Sequence, residues 1–461
     1  MRIKVQVIVD GIETASSVTE EITCIERKEI SSETLGLTLE ESKTILSELQ
    51  KTMVSLQINE YVSQHHECPI CGIRRPLKDS SEKIIFRTIF GKLEVSNPRY
   101  YTCKCQHLKR STFSPVAGYL TERTSPELLY LQTKWASLMS YGMTVDLLED
   151  ILPLKTNVTA ILDNTHKIAK RLESELGEEK YAYIEGCPRD WGNLPLPDKR
   201  ITVGIDGGYL HGREKDNRKA GSFEVIVGKS MQEGEESKRF GFVHGDEKAK
   251  RRLYEVLKEQ GFQLNQDITF LSDGGDTVRD LQTYLSPQAE HVLDWFHVTM
   301  RITVLRQMAK GFSAIKNFQD LDKTLERIKW YLWHGNVFRA LQLLEEVESD
   351  IEDYQYENES NKPNKKLNKL CKTVSEFKGY ISSNRNFIPN YQDRYFYGES
   401  ISSAFVESTV NEVISKRMKK KQQMRWTKKG AHLLLQVRIK TLNGDLRNTF
   451  QRWYPEMKRA S

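Results

Sequence analysis

Apolar and polar residues along this chain change period several times, and each change marks a different kind of element. The opening MRIKVQVIVD alternates and carries charge, which predicts a strand and not a signal peptide. LTLEESKTILSELQKTMVSLQ follows, with Leu37, Ile45, Leu46, Leu49 and Leu56 near helical spacing, and completes an N-terminal α+β segment over residues 1–60. Within residues 61–115, IIFRTIF and KLEVSNPRYYT flank Gly91 and predict two strands around a turn. Residues 120–180 carry helix punctuation three times. Ser125-Pro126-Glu127 starts one helix, which Gly142 follows; Thr144 can cap a short helix ending before Pro153; Thr156 or Asn157 can cap a third that runs to Gly177. Two short helices joined by a tight turn predict a helix-turn-helix, its second helix bearing Thr159, Asn164, His166, Lys167, Lys170 and Arg171. Gly186, Pro188, Pro195 and Pro197 make residues 181–200 a linker.

From 200 to 300 the period shortens again. ITVGIDGGYL, SFEVIVGKS and RFGFVHG read as three strands in a row, and EKAKRRLYEVLKEQG as a helix ended by Gly261. DITFLSD and EHVLDWFH are two further strands with a short helix, TVRDLQTYL, between them. Three meandering strands followed by alternation with helices predict an α/β core, a ribonuclease-H-like mixed sheet flanked by helices. Residues 301–400 read as an all-helical insertion with one polar interruption, NESNKPNKK. Residues 401–461 return to the core with a helix around Glu407 and close on a basic tail.

Composition narrows the class. At about 100–200 residues per domain, 461 residues suggest roughly three domains. No run of eighteen apolar residues is present, which argues against a spanning helix. Seven cysteines in this length point to a reducing compartment, so a soluble, cytoplasmic protein is expected. The net charge of +6 is unevenly placed: residues 408–461 hold fourteen Lys/Arg against three Asp/Glu. This asymmetry points to a polyanionic partner, most readily nucleic acid. The candidate contacts are Lys416, Arg417, Lys419, Lys420, Lys421, Arg425, Lys428 and Lys429, with Trp426 among them as a stacking group. Trp330, Trp333 and His334 read as core of the helical insertion before base-stacking groups.

Two constellations carry chemistry. Cys68-Pro69-Ile70-Cys71-Gly72 is a knuckle, and Cys103-Lys104-Cys105 with His107 follows it beyond the predicted hairpin. Paired cysteines at hairpin ends suit tetrahedral zinc, so a zinc-ribbon-like module with a structural zinc is expected on Cys68, Cys71, Cys103 and either Cys105 or His107. The second constellation is acidic. Asp206 sits inside an apolar strand, and Asp273 ends another; glycines follow each at once. If the first and fourth strands of the core lie side by side, the two carboxylates meet and repel unless a divalent cation holds them. A third acid should come from a later helix, with Glu407 the first candidate, Glu412 the second, and Ser400 or Ser402 as the cap. Asp294 and His297 read first as a local hydrogen-bonded pair, and otherwise as a supporting or DNA-strand contact near the same sheet end.

VGIDGGYLHG, FLSDGGDTVRDL, VLDWFHV and FVESTVNEVISKRMKKKQQMRW together resemble the DDE transposases of bacterial insertion sequences, the ISKra-type group, related in plan to Mutator-like elements. The resemblance covers about residues 200–430. It implies a catalytic triad of Asp206, Asp273 and Glu407 holding two Mg²⁺ or Mn²⁺ ions, and it matches Asp294 and His297 to an Asp-x-x-His motif. It further implies hydrolysis at transposon ends followed by transfer of the 3′-hydroxyl to target DNA. The implied partner is double-stranded DNA, bound by a homo-oligomer at the bacterial nucleoid. Two other classes stay open: a ribonuclease-H-like nuclease or resolvase that cuts without joining, and a domesticated zinc-dependent DNA-binding regulator, to which Asp206 and Asp273 would be dispensable.

Overall fold

The structure is a computed structural model and describes residues 1–10, 17–106, 111–180, 183, 188–195, 197, 199–213, 221–275, 281, 289–357, 364–419 and 425–457. The chain divides into two compact units, Met1–Arg171 with Gly444–Ser461, and Leu172–Asn443. Among the described residues no helix is long and apolar enough to cross a membrane.

In the first unit the alternating start forms β1 (Arg2–Asp10), which pairs antiparallel with β2 (Ser17–Glu26). Helix α1 (Leu39–His65) begins at Thr38, whose side chain and that of Glu41 cap each other's backbone amides. The helix is longer than its apolar spacing predicts, and that spacing misreads the covered face: Ile58 is its buried residue, whereas Leu37, Leu46 and Leu56 are exposed. The reason is coverage. Ile58 packs with Ile84, Leu93, Val95 and Val116 from the following strands and short helix, and nothing of that core reaches Leu37 or Leu46. Those strands are β3 (Leu77–Asp79), β4 (Lys83–Thr88), β5 (Gly91–Ser96), β6 (Arg99–Tyr101) and β7 (Thr112–Phe113). Strands β4 and β5 form the expected hairpin, with Gly91 at φ 132° opposite Thr88, while β3, β6 and β7 form a separate small sheet.

The helical run of this unit differs from expectation in one cap. After the short α2 (Pro115–Tyr119), α3 (Pro126–Leu138) starts at Ser125 as read, but α4 (Tyr141–Ile151) is capped by Ser140 and not Thr144. The Ser140 hydroxyl accepts the Met143 amide at 3.2 Å, so the helix restarts earlier, Gly142 falls inside it and Thr144 is buried. Asn157 caps α5 (Val158–Glu175), accepting the Ala160 amide at 2.8 Å, and Gly177 follows with φ 83°. A C-terminal helix, Leu446–Trp453, completes the unit by setting Phe450 edge-on against Tyr130.

In the second unit, the described part of the linker-like stretch holds α6 (Pro188–Trp191), and the segments read as strands build one five-stranded mixed sheet. Its strands are β8 (Ile201–His211), β9 (Ser222–Gln232), β10 (Lys238–Val243), β11 (Ile268–Ser272) and β12 (Glu290–Leu293), in the order β10-β9-β8-β11-β12. Neighbours are antiparallel from β10 to β8 and parallel from β8 to β12. One face, with Ile201, Val203, Ile205 and Phe270, packs on α7 (Ala249–Glu259) through Leu253, Val256 and Leu257. The strand read over EHVLDWFH stops at Leu293, because Asp294 accepts the Phe296 amide and starts a helix instead. The short helix TVRDLQTYL lies outside the described residues apart from Leu281, as does most of NESNKPNKK.

Between 295 and 396 the described residues are mainly helical: α8 (Trp295–Lys310), α9 (Leu321–Trp333), α10 (Val337–Glu357), α11 (Lys365–Ser383) and α12 (Tyr391–Phe396). They are not an appendage, because their core is continuous with Leu271, Val292 and Leu293 of the sheet. The chain then returns as α13 (Ala404–Val410), widens into a π-helical turn (Asn411–Lys419) and ends the unit with α14 (Lys428–Leu442).

Candidate functional site

The sheet register decides where the acids fall. Strand β11 runs beside β8 with Leu271 opposite Gly204, and beside β12 with Ser272 opposite Leu293. Continuing both ladders past their last pairs sets Asp273 level with Asp206 on one side and with Asp294 on the other. Three carboxylates therefore form a row across three adjacent parallel strands, with Asp206 midway along β8 and Asp273 and Asp294 just past the ends of β11 and β12. All three belong to the sheet face opposite α7. That face stays open to a helix because Gly204 has no side chain: a Cβ there would collide with Val406 and Phe405 of α13, and one at Gly208 would press on Ile414 and Val410. Asp206 stands between these two glycines, so it faces the helix that carries Glu407.

The surroundings set the charge of each group. Asp206 accepts the Gly207 amide at 2.7 Å, yet burial and the nearby Asp273 and Asp294 push its carboxyl above the ordinary aspartate value against the pull of His297. Asp273 is exposed and accepts the Gly275 amide at 3.1 Å. Its turn is held by Gly274 at φ 85°, whose amide donates to the Ser272 hydroxyl at 3.3 Å. Asp294 is fully buried. It accepts the Phe296 amide at 2.9 Å, His297 Nδ1–H at 2.6 Å, the Ser403 amide at 3.0 Å and the Ser403 hydroxyl. Burial alone would raise its pKa; the bonds from His297 and Ser403 outweigh that and hold it low, and the same contact raises His297. Asp294 and His297 are thus a hydrogen-bonded pair, and Asp294 also ties the end of β12 to the start of α13.

Glu407 lies exposed one residue after Val406 on α13. Glu412 is engaged elsewhere, in an ion pair with Arg239 of β10 at 2.9 Å. Ser403 stands at the N-cap position of α13 but makes no side-chain cap bond, because its hydroxyl turns to Asp294; of the two expected caps, Ser402 accepts the Ala404 amide at 3.3 Å. Asp206, Asp273 and Glu407 do not close into a tight ligand cage. Among the described residues one group of three or more such side chains has its ligand atoms all within 4.8 Å of one another, and it is the cysteine cluster.

That cluster is Cys68, Cys71, Cys103 and Cys105, with Sγ–Sγ separations of 3.5 Å (Cys68–Cys105) and 3.4 Å (Cys71–Cys103). Four thiolates around zinc at about 2.3 Å would stand roughly 3.8 Å apart, so the four cysteines could hold a structural zinc with little movement. The amides of Ile70 and Cys71 point at Cys68 Sγ and lower its pKa to about 6. Gly72 at φ 67° turns the knuckle, and a 3₁₀ turn at Lys104–Gln106 presents the second pair. Cys105 stands as the fourth cysteine of the cluster, and His107, the other expected ligand, lies outside the described residues.

The basic segment separates into surface and core. Lys416, Lys419, Arg425, Lys428 and Lys429 are exposed, and Lys420 and Lys421 lie outside the described residues. Arg417 and Trp426, expected at DNA, are buried instead. The Trp426 indole donates to the Met418 carbonyl at 3.1 Å, its amide donates to the His211 carbonyl at 2.9 Å, and Arg417 lies against its ring. The apolar ring and the free edge of β8 are satisfied together by this docking, which sequence periodicity does not show. Farther on, Arg438 donates to the Val413 and Glu412 carbonyls, and Arg447 pairs with Glu127, so part of the C-terminal positive charge is structural. In the predicted helix-turn-helix, Asn164 donates to Gln132, Lys167 pairs with Glu122 and Arg171 stacks on Trp453; Thr159 and Lys170 are exposed. Trp333 packs on Trp295 and Tyr391 as core, whereas Trp330 is half exposed.

Ser403, Arg301, Tyr380 and Asn384 belong to this neighbourhood and escaped the sequence reading, because no spacing links them to the acids. The sequence matches no protein-family model and no curated protein.

Proposed function

We propose that the protein is a DNA transposase of the DDE type, cutting at the ends of its element and joining the liberated 3′-hydroxyl to target DNA. The observation that carries the reading is the register that sets Asp206, midway along β8, level with Asp273 just past the end of the parallel β11, on the face to which Gly204 admits the helix bearing Glu407. The strand order β10-β9-β8-β11-β12, three antiparallel strands followed by two parallel ones, supports a ribonuclease-H-like core.

The donor set suits a hard divalent cation. Carboxylate oxygens are crowded enough that burial and neighbouring negative charge raise Asp206, and a cation relieves both penalties. Asp206, Asp273 and Glu407 would hold Mg²⁺ or Mn²⁺, which when bound supplies an acidified water and neutralises charge at the phosphate. The chain's own groups do the rest. Asp294 orders the row by fixing Ser403 and His297, and His297, raised towards its cationic form, attracts the phosphate that the carboxylates alone would repel. Exposed Lys416, Lys419, Arg425, Lys428 and Lys429 hold the DNA backbone in this reading. The zinc site on the four cysteines stabilises the N-terminal module, in line with a role in end binding.

The test is a strand-transfer assay on the inverted repeats flanking the gene, with Mg²⁺ or Mn²⁺ and a supercoiled target. Asp206→Ala, Asp273→Ala and Glu407→Ala should each abolish cleavage and joining while sparing DNA binding. Cleavage without joining assigns a nuclease instead, and full activity of all three variants ends the reading.

A further inference from the structure

The helical insertion reaches the carboxylate row. Asn384, just past the end of α11, is 4% exposed and occupies the space that a side chain on Gly274 would fill, directly beside Asp273. Its amide nitrogen donates to the Tyr380 carbonyl at 2.9 Å, whereas its Oδ1 is buried without a hydrogen-bond partner. One turn earlier on the same helix, the Tyr380 hydroxyl is likewise buried and unpartnered. Arg301 of α8 lies over the Tyr380 ring, with Cζ 4.1 Å from its centroid. Arg301 is exposed, makes no ion pair among the described residues, and stands one helical turn beyond His297.

Polar atoms left buried and unpaired destabilise a fold, so their retention asks for a ligand. A phosphodiester fits this one. Its non-bridging oxygens carry negative charge that the acids oppose, and they need donors from another side. A guanidinium held over an aromatic ring by a cation–π contact keeps its N–H groups for anionic oxygens, and a phenol hydroxyl adds a neutral donor. We propose that Arg301 and the Tyr380 hydroxyl bind a phosphate of the DNA strand lying across the carboxylate row, with Asn384 as a positioning residue that holds α11 against the Asp273–Gly274 turn. The helical insertion thereby becomes part of the substrate site. This inference rests on the reading of the carboxylates as a metal-dependent DNA site.

The experiment measures binding of a fluorescein-labelled DNA duplex to the full-length protein by anisotropy, with and without Ca²⁺, which occupies carboxylate sites without supporting cleavage. Arg301→Ala and Tyr380→Phe should each lose about tenfold in the Ca²⁺-dependent part of the affinity, the scale of a hydrogen bond to a charged group. Tyr380→Phe should also unfold at the same or a higher temperature than the parent, because the hydroxyl it removes is unpartnered. A lowered unfolding temperature would make the hydroxyl structural and overturn the assignment. The double variant Asp206→Asn with Asp273→Asn separates the two claims. If it abolishes the Ca²⁺ dependence while Arg301→Ala and Tyr380→Phe bind like the parent, the phosphate contact is wrong and the metal site stands. If Ca²⁺ never strengthens binding in the parent, or still does so in the double variant, both are overturned.

Discussion

Replacing Asp294 by alanine removes the acceptor for four hydrogen bonds at once: from the Phe296 amide, His297 Nδ1, and the Ser403 amide and hydroxyl. Loss of the helix cap costs about 1 kcal/mol. The Ser403 amide, buried and without a replacement partner, adds roughly 1–3 kcal/mol, and the broken charge-assisted bond to His297 brings the total to about 3–5 kcal/mol. In a unit of this size each kcal/mol lowers Tm by roughly 2–4 °C, so a drop of about 6–20 °C is expected. Asp294→Asn keeps an acceptor for both amides and should cost about half as much. The pH dependence has a definite sign. Asp294, held low, contributes stability that is present above the unfolded aspartate value of about 4 and is lost as pH falls through its depressed value. His297, held high, contributes stability that is complete below about pH 6.5 and is lost as pH rises through its raised value. The gap between the parent and Asp294→Asn should therefore be widest between about pH 4 and 6.5 and narrow on the alkaline side. Thermal unfolding followed by circular dichroism at several pH values measures it, and an NMR titration of His297 should show its pKa falling in the variant. An alanine variant melting within about 2 °C of the parent, or a His297 titration that does not move, would refute the account of this buried pair.

Protein purified without chelator should carry about one zinc per chain, and Cys68→Ser should release it and unfold the N-terminal module; metal analysis showing no zinc contradicts the cluster. Replacing Lys416, Lys428 and Lys429 together should weaken binding to all duplexes alike and flatten the salt slope by roughly two to three units, since each phosphate contact contributes about 0.9. A loss confined to one sequence would place these residues at base edges instead. Glu412→Ala should retain cleavage and lose at most about 1 kcal/mol, because it breaks a partly exposed ion pair with Arg239 and no ligand of the acid row. A dead Glu412→Ala beside an active Glu407→Ala would exchange their roles.

What the chain determined by itself is local. Short apolar runs bounded by glycine and polar residues placed β8 to β11, because strands covered on both faces are apolar nearly throughout, and the helix stops at Gly177 and Gly261 were visible because φ is positive at both. Asp206 and Asp273 were legible as candidates because a carboxylate inside or at the end of an apolar strand, followed by glycine, is anomalous on local grounds. The cysteine spacing was legible for the same reason: four ligands in two close pairs need little tertiary information. Only the tertiary structure decided that Arg417 and Trp426 belong to the interior, since burial of a basic or aromatic side chain depends on what docks against it and not on its neighbours in sequence. It also decided that Ser403, at the start of α13, gives its amide and hydroxyl to Asp294, and that α11 brings Tyr380 and Asn384 to the turn after Asp273. These pairings span about a hundred residues of sequence. No periodicity carries across that distance, and the contacts exist because the insertion shares a core with Leu271, Val292 and Leu293 of the sheet.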